Sequence, residues 1–211
     1  MPYLIAGLAE FMPYLKDIYK SNNFPCYEVP YNTLCSIIVK TVPLSLKKND
    51  PMIKEQFLIN TEKYKATYTF IFTDASKKDL TTGFGISIPD INIKYSSKLP
   101  NHLSICKTEI IGIYEAIKLT LRKNLFRIII FSDSSSAIEK ISSYSVKNIS
   151  EYWHIETERL RDHATENGFD IRLAWIPGHS NIPGNEEADT LANIGRNLNI
   201  PMVMPLDVQD I

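Results

Sequence analysis

Four carboxylates in this 211-residue sequence stand where a buried acidic cluster would form. Asp74 and Asp133 each follow a run typical of a β-strand, and Glu109 falls on the apolar stripe of a predicted helix. Asp189 stands among small and apolar residues on the last predicted helix. A lone Asp after a strand is usually a turn residue or a helix cap, but burying an unpaired carboxylate costs several kcal/mol. The four together therefore predict a cation site.

The type of ligand indicates which cation the site would take. Oxygen ligands alone favour hard cations such as Mg²⁺ or Mn²⁺. Zinc is disfavoured because no pair of histidines or cysteines lies near these carboxylates in the sequence. Two hard cations roughly 3.5–4 Å apart form the clamp used for in-line displacement at phosphorus. The carboxylates therefore indicate phosphodiester chemistry.

His179 follows a Pro-Gly turn and precedes Asp189, on a loop able to fold over the carboxylates. One interpretation is a group that shuttles a proton or helps the product to leave, because histidine titrates near neutral pH. The other is a loop residue whose ring bonds the backbone. The residue type and its position leave both interpretations open.

The composition bounds the class of protein. A hydrophobic fraction of 44% is enough for a buried core. The 23 basic and 24 acidic residues nearly cancel, so a surface that binds nucleic acid would have to be a local patch of positive charge. Three cysteines without metal-ligand spacing favour packing roles in a reducing, intracellular setting, in the nucleus or the cytoplasm. The apolar run over 1–15 is interrupted by Glu10 and is too short to span a bilayer. We expect a packed amphipathic helix there and no membrane contact.

The elements that must position these residues are clearest after residue 66. Residues 1–66 are rich in turn signals, and we expect a helical connector with a short helix near 52–64. A polar turn is predicted over 77–82. Strands are predicted at 68–73, 83–88, 91–97, 126–131 and 171–175, and helices at 104–123, 134–141, 150–167 and 185–197, the last capped by Asn185.

The connections predict how the strands are arranged. Short connections make the first three strands an antiparallel meander. The right-handed crossover rule places the strand that ends near Asp133 parallel to and beside the strand that ends at Asp74. Adjacent strands are ~4.8 Å apart, so the two carboxylates could share a cation. The elements thus predict an α/β protein, a mixed sheet with helices on its faces.

Four blocks of the sequence occur in an order that resembles the signature of a known family. They are Thr73-Asp74-Ala75-Ser76, Thr108-Glu109-Ile110-Ile111, Ser132-Asp133-Ser134, and Trp175-Ile176-Pro177-Gly178-His179 with Gly184-Asn185-Glu186-Glu187-Ala188-Asp189. Together they resemble type 1 ribonuclease H over about residues 68–197. The last block is especially similar to the ribonuclease H domain of non-LTR, LINE-like retrotransposon polyproteins.

The resemblance implies a ribonuclease H-like fold, with a five-stranded mixed sheet in the order 3-2-1-4-5 and the first three strands antiparallel. It implies endonucleolytic cleavage of the RNA strand of an RNA–DNA hybrid with two Mg²⁺ ions, or Mn²⁺ in their place. The residues that correspond to the family's catalytic metal ligands are Asp74, Glu109, Asp133 and Asp189. The residue that corresponds to its catalytic histidine is His179. Its substrate contacts would come from Ala75, Ser76, Thr108, Ser134 and Asn185.

The resemblance divides the chain into a connector over 1–66, a ribonuclease H domain over 67–197 and a tail over 198–211. We expect a monomer whose partners are the hybrid and a reverse transcriptase or another element-encoded protein. Ala75 replaces a frequent glycine, and Cys106-Lys107-Thr108 replaces a polar Asn or Gln. We therefore expect weak hybrid affinity unless residues 1–66 or another protein help. The alternative function is a catalytically silent module of this fold that binds nucleic acid or acts as a scaffold.

Overall fold

The computed structural model describes residues 40–48, 50–142 and 152–204, and its helices and strands all belong to the compact unit Ile38–Met202. The amphipathic helix predicted over 1–15 lies outside these residues. Within them, no helix is both long and apolar enough to cross a bilayer. The elements in chain order are α1 (Ile53–Lys65), β1 (Thr69–Lys78), β2 (Thr81–Ile88), β3 (Ile93–Leu99), α2 (Ile105–Lys123), β4 (Arg127–Ser132), α3 (Ser135–Ser142), α4 (Tyr152–Glu166), β5 (Asp170–Trp175) and α5 (Pro183–Arg196).

The strands form one mixed sheet in the order β3-β2-β1-β4-β5. β2 is antiparallel to both β1 and β3, whereas β4 is parallel to both β1 and β5. This confirms the predicted fold class, including the strand order. The register between β1 and β4 pairs Thr73 with Ser132, so Asp74 and Asp133 come next to each other in the following position.

The strand boundaries in the antiparallel half of the sheet differ from the prediction. The predicted end of the first strand at Asp74 is wrong, because β1 continues to Lys78 and pairs with β2 throughout this extension. The turn is confined to Asp79 and Leu80, where Asp79 has a φ of 52°. The end of β1 is exposed, and polarity alone does not distinguish an exposed strand end from a turn. β3 begins later than predicted because a 3-10 turn occupies Pro89–Ile91.

Helix α2 carries the glutamate of the predicted cluster. Its N-cap Ser104 accepts a hydrogen bond from the backbone of Lys107 at 3.2 Å, and Asn124 ends it with a left-handed φ of 54°. Glu109 and Ile113 are both buried on the side of the helix that packs against the sheet. The helix predicted over 104–123 is therefore confirmed, with Glu109 on its buried face.

The segment before β1 shares the core of the sheet. On α1, the ring of Phe57 is buried and its centroid lies 5.3 Å from that of Phe131 on β4. Val42, Leu46 and Ile53 are buried in the same hydrophobic cluster. Helix α1 confirms the short helix predicted near 52–64. The domain boundary at residue 66 stays a prediction, although residues on both of its sides pack together.

Both outer strands of the sheet have a backbone neighbour. Beside β5, Val42 N donates to Leu173 O at 2.8 Å, and Leu173 N donates to Lys40 O at 3.1 Å. Beside β3, Met202 N donates to Lys98 O at 2.8 Å. The outer backbone groups at these positions are therefore used within the chain.

Helix α5 lies across β1 and β2, and a glycine permits its close approach. A Cβ atom on Gly85 would lie 2.4 Å from the backbone oxygen of Ala188 and 2.5 Å from the backbone nitrogen of Ala192. Any larger residue in this position of β2 must push the helix away. Since α5 carries Asp189, this contact also fixes one side of the candidate site.

Replacing Gly85 with alanine should lower the free energy of unfolding by roughly 1–3 kcal/mol, because the added methyl group collides with the backbone of α5. The matched change Gly112→Ala places a methyl group 3.6 Å from the side chain of Phe84, inside helix α2, and should raise stability by about 0.4–1 kcal/mol. Urea unfolding of both variants measures the difference. Equal effects of the two changes would contradict the packing of α5 on β2.

Candidate active site

Three of the four predicted carboxylates meet where β1, β4 and α2 come together. Asp74 lies within β1, Asp133 directly follows β4, and Glu109 is on the buried face of α2. One carboxylate oxygen of each residue lies within 4.8 Å of those of the other two. Elements far apart in sequence thus bring three like charges into one small volume.

Asp74 is 8% exposed, and its Oδ1 atom accepts a hydrogen bond from the backbone nitrogen of Ala75 at 2.8 Å. Burial raises the pKa of Asp74 from its ordinary value of 3.8 to about 8, and the charges of Asp133 and Asp189 add to the rise. The hydrogen bond from Ala75 opposes the shift but does not cancel it. Without a cation, this carboxyl therefore tends to hold a proton at neutral pH.

Glu109 is the most deeply placed carboxylate of the group. Burial, followed by the charges of Asp74 and Asp133, raises its pKa well above the ordinary value. The Ala75 backbone and the Ser132 side chain partly oppose this rise. Its Oε2 atom is buried and has no hydrogen-bond partner among the residues that the structure describes. An acceptor left unsatisfied in this way is free to bind a cation.

Asp133 is the half-buried member of the cluster and lies nearest to the protein surface. Burial raises the pKa of Asp133, while the charges of His179 and Lys48 lower it. Its backbone oxygen accepts a hydrogen bond from the indole of Trp175 at 3.0 Å. A Cβ atom on Gly178 would lie 2.3 Å from Asp133 Oδ2, so only glycine lets the β5–α5 loop approach this carboxylate so closely.

The chemistry of this group fits divalent cations with oxygen ligands. In the described part of the chain, no lysine, arginine or histidine forms an ion pair with Asp74, Glu109 or Asp133. Two buried carboxylates and one half-buried carboxylate without a cation would be protonated or destabilising. Hard cations such as Mg²⁺ or Mn²⁺ match both the ligand type and the unsatisfied oxygen of Glu109.

The fourth predicted carboxylate, Asp189, lies outside the group of three. It is close enough that its charge raises the pKa of both Asp74 and Asp133. Asn193, one turn later on α5, donates from Nδ2 to Asp189 Oδ1 at 2.9 Å, and its Oδ1 accepts from Ser76 Oγ at 2.8 Å. Asn193 was not predicted as a site residue, although its spacing of four residues from Asp189 on a helix places the two side chains side by side.

His179 lies on the loop between β5 and α5, is exposed and has a left-handed φ of 51°. It lines one cavity together with Glu109 and Asp133. Within the residues that the structure describes, its ring makes no hydrogen bond, so it is not a loop residue bonded to the backbone. The loop is held instead by other bonds, including one from the Asn181 backbone to the Glu186 carboxylate at 3.1 Å.

The five predicted substrate residues have different environments. The backbone of Ala75 donates to Asp74, and the hydroxyl groups of Ser76 and Thr108 donate to Asn193 and to the Ser104 backbone oxygen. Ser134 lines the cavity and accepts a hydrogen bond from the backbone of Ala137 at 3.3 Å. Their roles toward a substrate stay predictions.

Asn185 is 2% exposed, and in the described part of the chain its Oδ1 atom has no hydrogen-bond partner. The predicted N-cap role of Asn185 is wrong, because α5 begins at Pro183 and Ile182 occupies the cap. Proline suits the first helical position, since its φ is already helical and its missing N–H would have no partner there. Asn185 is therefore the third residue of the helix, and its role toward a substrate stays a prediction.

Comparison with known proteins gives matches over the part of the chain that carries this site. The family model described as RNase H matches residues 66–197. Ribonuclease H1 of Mus musculus is 26% identical over 151 residues, covering 64% of this chain and 53% of that protein. Ribonuclease H of Paracidovorax citrulli (strain AAC00-1) is 44% identical over 54 residues, covering 26% of this chain and 33% of that protein. The chain thus spans about half the length of the Ribonuclease H1 protein that it matches.

One solved structure supports the fold. The native Prototype Foamy Virus Protease-Reverse Transcriptase aligns with a TM-score of 0.50 at 22% identity, covering 62% of this chain and 21% of that chain. At this identity the likeness concerns the fold alone.

The pKa of Asp74 sets how the stability of the metal-free protein depends on pH. The folded pKa of about 8 exceeds the ordinary 3.8, so the folded state holds more protons between these values and stability falls as pH rises through this range. Asp74→Asn should remove this part of the dependence and should stabilise the metal-free protein near pH 8 by roughly 1–3 kcal/mol. Urea unfolding at pH 5 and pH 8 in a chelator measures both effects.

The matched control for this experiment is Asp79→Asn, which changes an exposed carboxylate in the β1–β2 turn. It should leave the pH dependence of stability as in the original protein. An Asp74→Asn variant that is less stable than the original at pH 8 would contradict the electrostatic account of the cluster.

Proposed function

Because the chain belongs to the RNase H family, we propose that it is an endoribonuclease that hydrolyses the RNA strand of RNA–DNA hybrids. The observation that carries the proposal is the group of three carboxylates, two buried and one half-buried, with oxygens within 4.8 Å of one another. The relative from Mus musculus is named for this activity. A silent module would gain stability by losing any one of these carboxylates, so their retention together favours catalysis.

We infer that Asp74, Glu109 and Asp133 hold two divalent cations, and that Asp189 contributes from α5. The chemistry that Mg²⁺ or Mn²⁺ supplies when bound is activation of water and stabilisation of the leaving 3′ oxygen at phosphorus. The protein's own part is to hold the carboxylates in place. Asn193 orients Asp189 by donating to Oδ1 at 2.9 Å.

His179 supplies an imidazole to the cavity wall that also contains Glu109 and Asp133. Its side chain is exposed, so solvent and a substrate in the cavity can both reach it. We propose that it assists proton transfer to the product and its departure. Because it is not part of the carboxylate group, its loss should slow turnover without removing the metal site.

Selection of RNA over DNA requires a group that contacts the 2′-hydroxyl. Ser134 lies on the cavity wall, where its hydroxyl can meet a ribose. The hydroxyl hydrogen of Ser76 is engaged within the protein, which leaves its lone pairs for a ribose hydroxyl. Thr108 is fully buried and Asn185 is 2% exposed, so neither side chain reaches a substrate in this conformation. We propose that Ser76 and Ser134, with the backbone at Ala75, form the substrate contacts.

We further propose that the protein derives from a retrotransposon, acts as an intracellular monomer and works with a reverse transcriptase or another element-encoded protein. The amino-acid sequence of the block over 175–189 supports the origin, because it resembles that of retrotransposon ribonuclease H domains. The free thiol of Cys106 supports the intracellular location, because it suits a reducing compartment. The genomic DNA beside the coding region tests the origin. Flanking reverse-transcriptase sequence would support it, and an ordinary host gene without element sequence would contradict it.

The protein should cleave a labelled RNA–DNA hybrid in Mg²⁺, and a chelator should abolish the cleavage. Asp133→Asn should lower the rate by roughly 10³-fold or more, since the charge stabilisation by a bound cation is worth several kcal/mol. Gel analysis of a hybrid labelled on the RNA strand measures the rate and shows internal cuts. Asp79→Asn, at the exposed turn, is the matched control and should cleave normally.

Two outcomes of this assay would contradict the proposal. A folded protein that binds the hybrid without cutting it, in Mg²⁺ and in Mn²⁺, would support the silent module instead. Cleavage of duplex DNA at a similar rate would refute the substrate assignment while keeping the metal chemistry.

His179→Ala should slow hybrid cleavage by roughly 10²–10⁴-fold if the imidazole transfers a proton. Stabilisation of the fold by Mg²⁺ should stay as in the original protein, because the three clustered carboxylates are untouched. The pair of measurements is the cleavage rate and the shift of the urea midpoint on adding Mg²⁺. An unchanged rate would make His179 a loop residue without a catalytic role.

A further inference from the structure

Lys48 brings a positive charge to the catalytic cavity from outside the matched family domain. The family model begins at residue 66, whereas Lys48 precedes α1. It lines the same cavity as Glu109, Asp133 and His179. No sequence signal marked it, because a single lysine in a polar turn is ordinary on a protein surface.

The chain on both sides of Lys48 is anchored. Leu46 and Ile53 are buried in the core cluster. Between them, Asp50 accepts hydrogen bonds from the backbone of Met52 and from Gln56 Nε2, each at 2.9 Å. The lysine is therefore presented from a fixed turn and not from a free chain end.

The amine of Lys48 is available for a ligand. In the residues that the structure describes, it makes no hydrogen bond and no ion pair, and its side chain is exposed. A lysine that lines the same cavity as Asp133, yet is not bonded to it, is placed to meet an anion that enters the cavity.

The cavity offers further groups suited to a phosphodiester. Its volume is about 290 Å³, and the hydroxyl groups of Ser134 and Ser136 lie on its wall together with His179. The two hydroxyl oxygens are 3.2 Å apart, so one can donate outward while the other is satisfied. Phosphate oxygens accept from lysine and serine alike, and the cations held by the carboxylates would offset repulsion by the cluster.

We propose that Lys48 is a substrate-binding residue that contacts a backbone phosphate of the nucleic acid next to the phosphate that is cut. This inference rests on the proposed function and deepens it, because it assigns part of the hybrid affinity to the segment that precedes the family domain. The contact is with the backbone, so it adds affinity without reading sequence.

The test measures binding and cleavage of the hybrid by Lys48→Ala. Its hybrid affinity, measured by fluorescence anisotropy in Mg²⁺ with Asp133→Asn present to prevent cleavage, should fall roughly 3–10-fold. The slope of log affinity against log salt should become shallower by about 1, because one phosphate contact is lost. In the cleavage assay, with Asp133 intact, KM should rise by a similar factor while kcat changes by less than about twofold.

Two variants control for charge and position. Lys47→Ala removes the neighbouring positive charge, which lines a different cavity with Asp50 and Gln56, and should leave the salt slope unchanged. Lys48→Arg keeps the charge and should restore the slope. A salt slope that is the same for Lys48→Ala as for the original protein would overturn the inference, as would an equal loss in Lys47→Ala.

The binding measurement keeps the inference separate from the proposed function. If the original protein does not cleave the hybrid but its salt slope still depends on Lys48, the proposed enzymatic activity is refuted and the proposed phosphate contact is supported. If the original protein cleaves the hybrid and Lys48→Ala binds it with unchanged affinity and salt slope, the proposed activity is supported and the proposed phosphate contact is refuted.

Discussion

Repulsion between buried carboxylates is the constraint on which this structure depends. Asp74, Glu109 and Asp133 would not approach one another unless the sheet and α2 held them, since burial raises the pKa of each and the charges of neighbouring carboxylates add to the rise. The parallel pairing of β1 with β4 places two of them, and the apolar stripe of α2 places the third. The hydrophobic core thus offsets a local destabilisation at the point where cations would bind.

The part of that core contributed by residues 40–66 changes how the domain is delimited. The family match begins at residue 66, but Phe57 contacts the rings of Phe72 and Phe131, with centroids 6.2 and 5.3 Å apart. Removing these aromatic contacts would expose part of the face that carries Phe72 and Phe131 to water. The family match therefore identifies the residues whose sequence is shared with relatives, whereas the packing shows that residues before the match belong to the same hydrophobic core.

The sequence was most informative where one residue conflicts with its surroundings. A glutamate on an apolar stripe and aspartates after strand-like runs predicted the cluster, and strand order followed from connection lengths and from the family resemblance. Asn193 and Lys48 were missed because each is an ordinary polar residue whose role arises from contacts across long stretches of chain. The extension of β1 beyond Asp74 was missed because an exposed strand and a turn have similar composition. Asn185 was misplaced as a cap because Pro183 starts the helix earlier.

The backbone neighbours of the two outer strands affect the behaviour of the sheet toward other molecules. Unpaired edge strands invite association with a second chain, which leads to domain swapping or aggregation. Here the bonds of Leu173 with Lys40 and Val42, and of Lys98 with Met202, occupy edge positions on β5 and β3. The segments that flank the matched domain therefore also act as covers for the sheet. A shorter protein cut at the family boundaries would expose these edges and become prone to self-association.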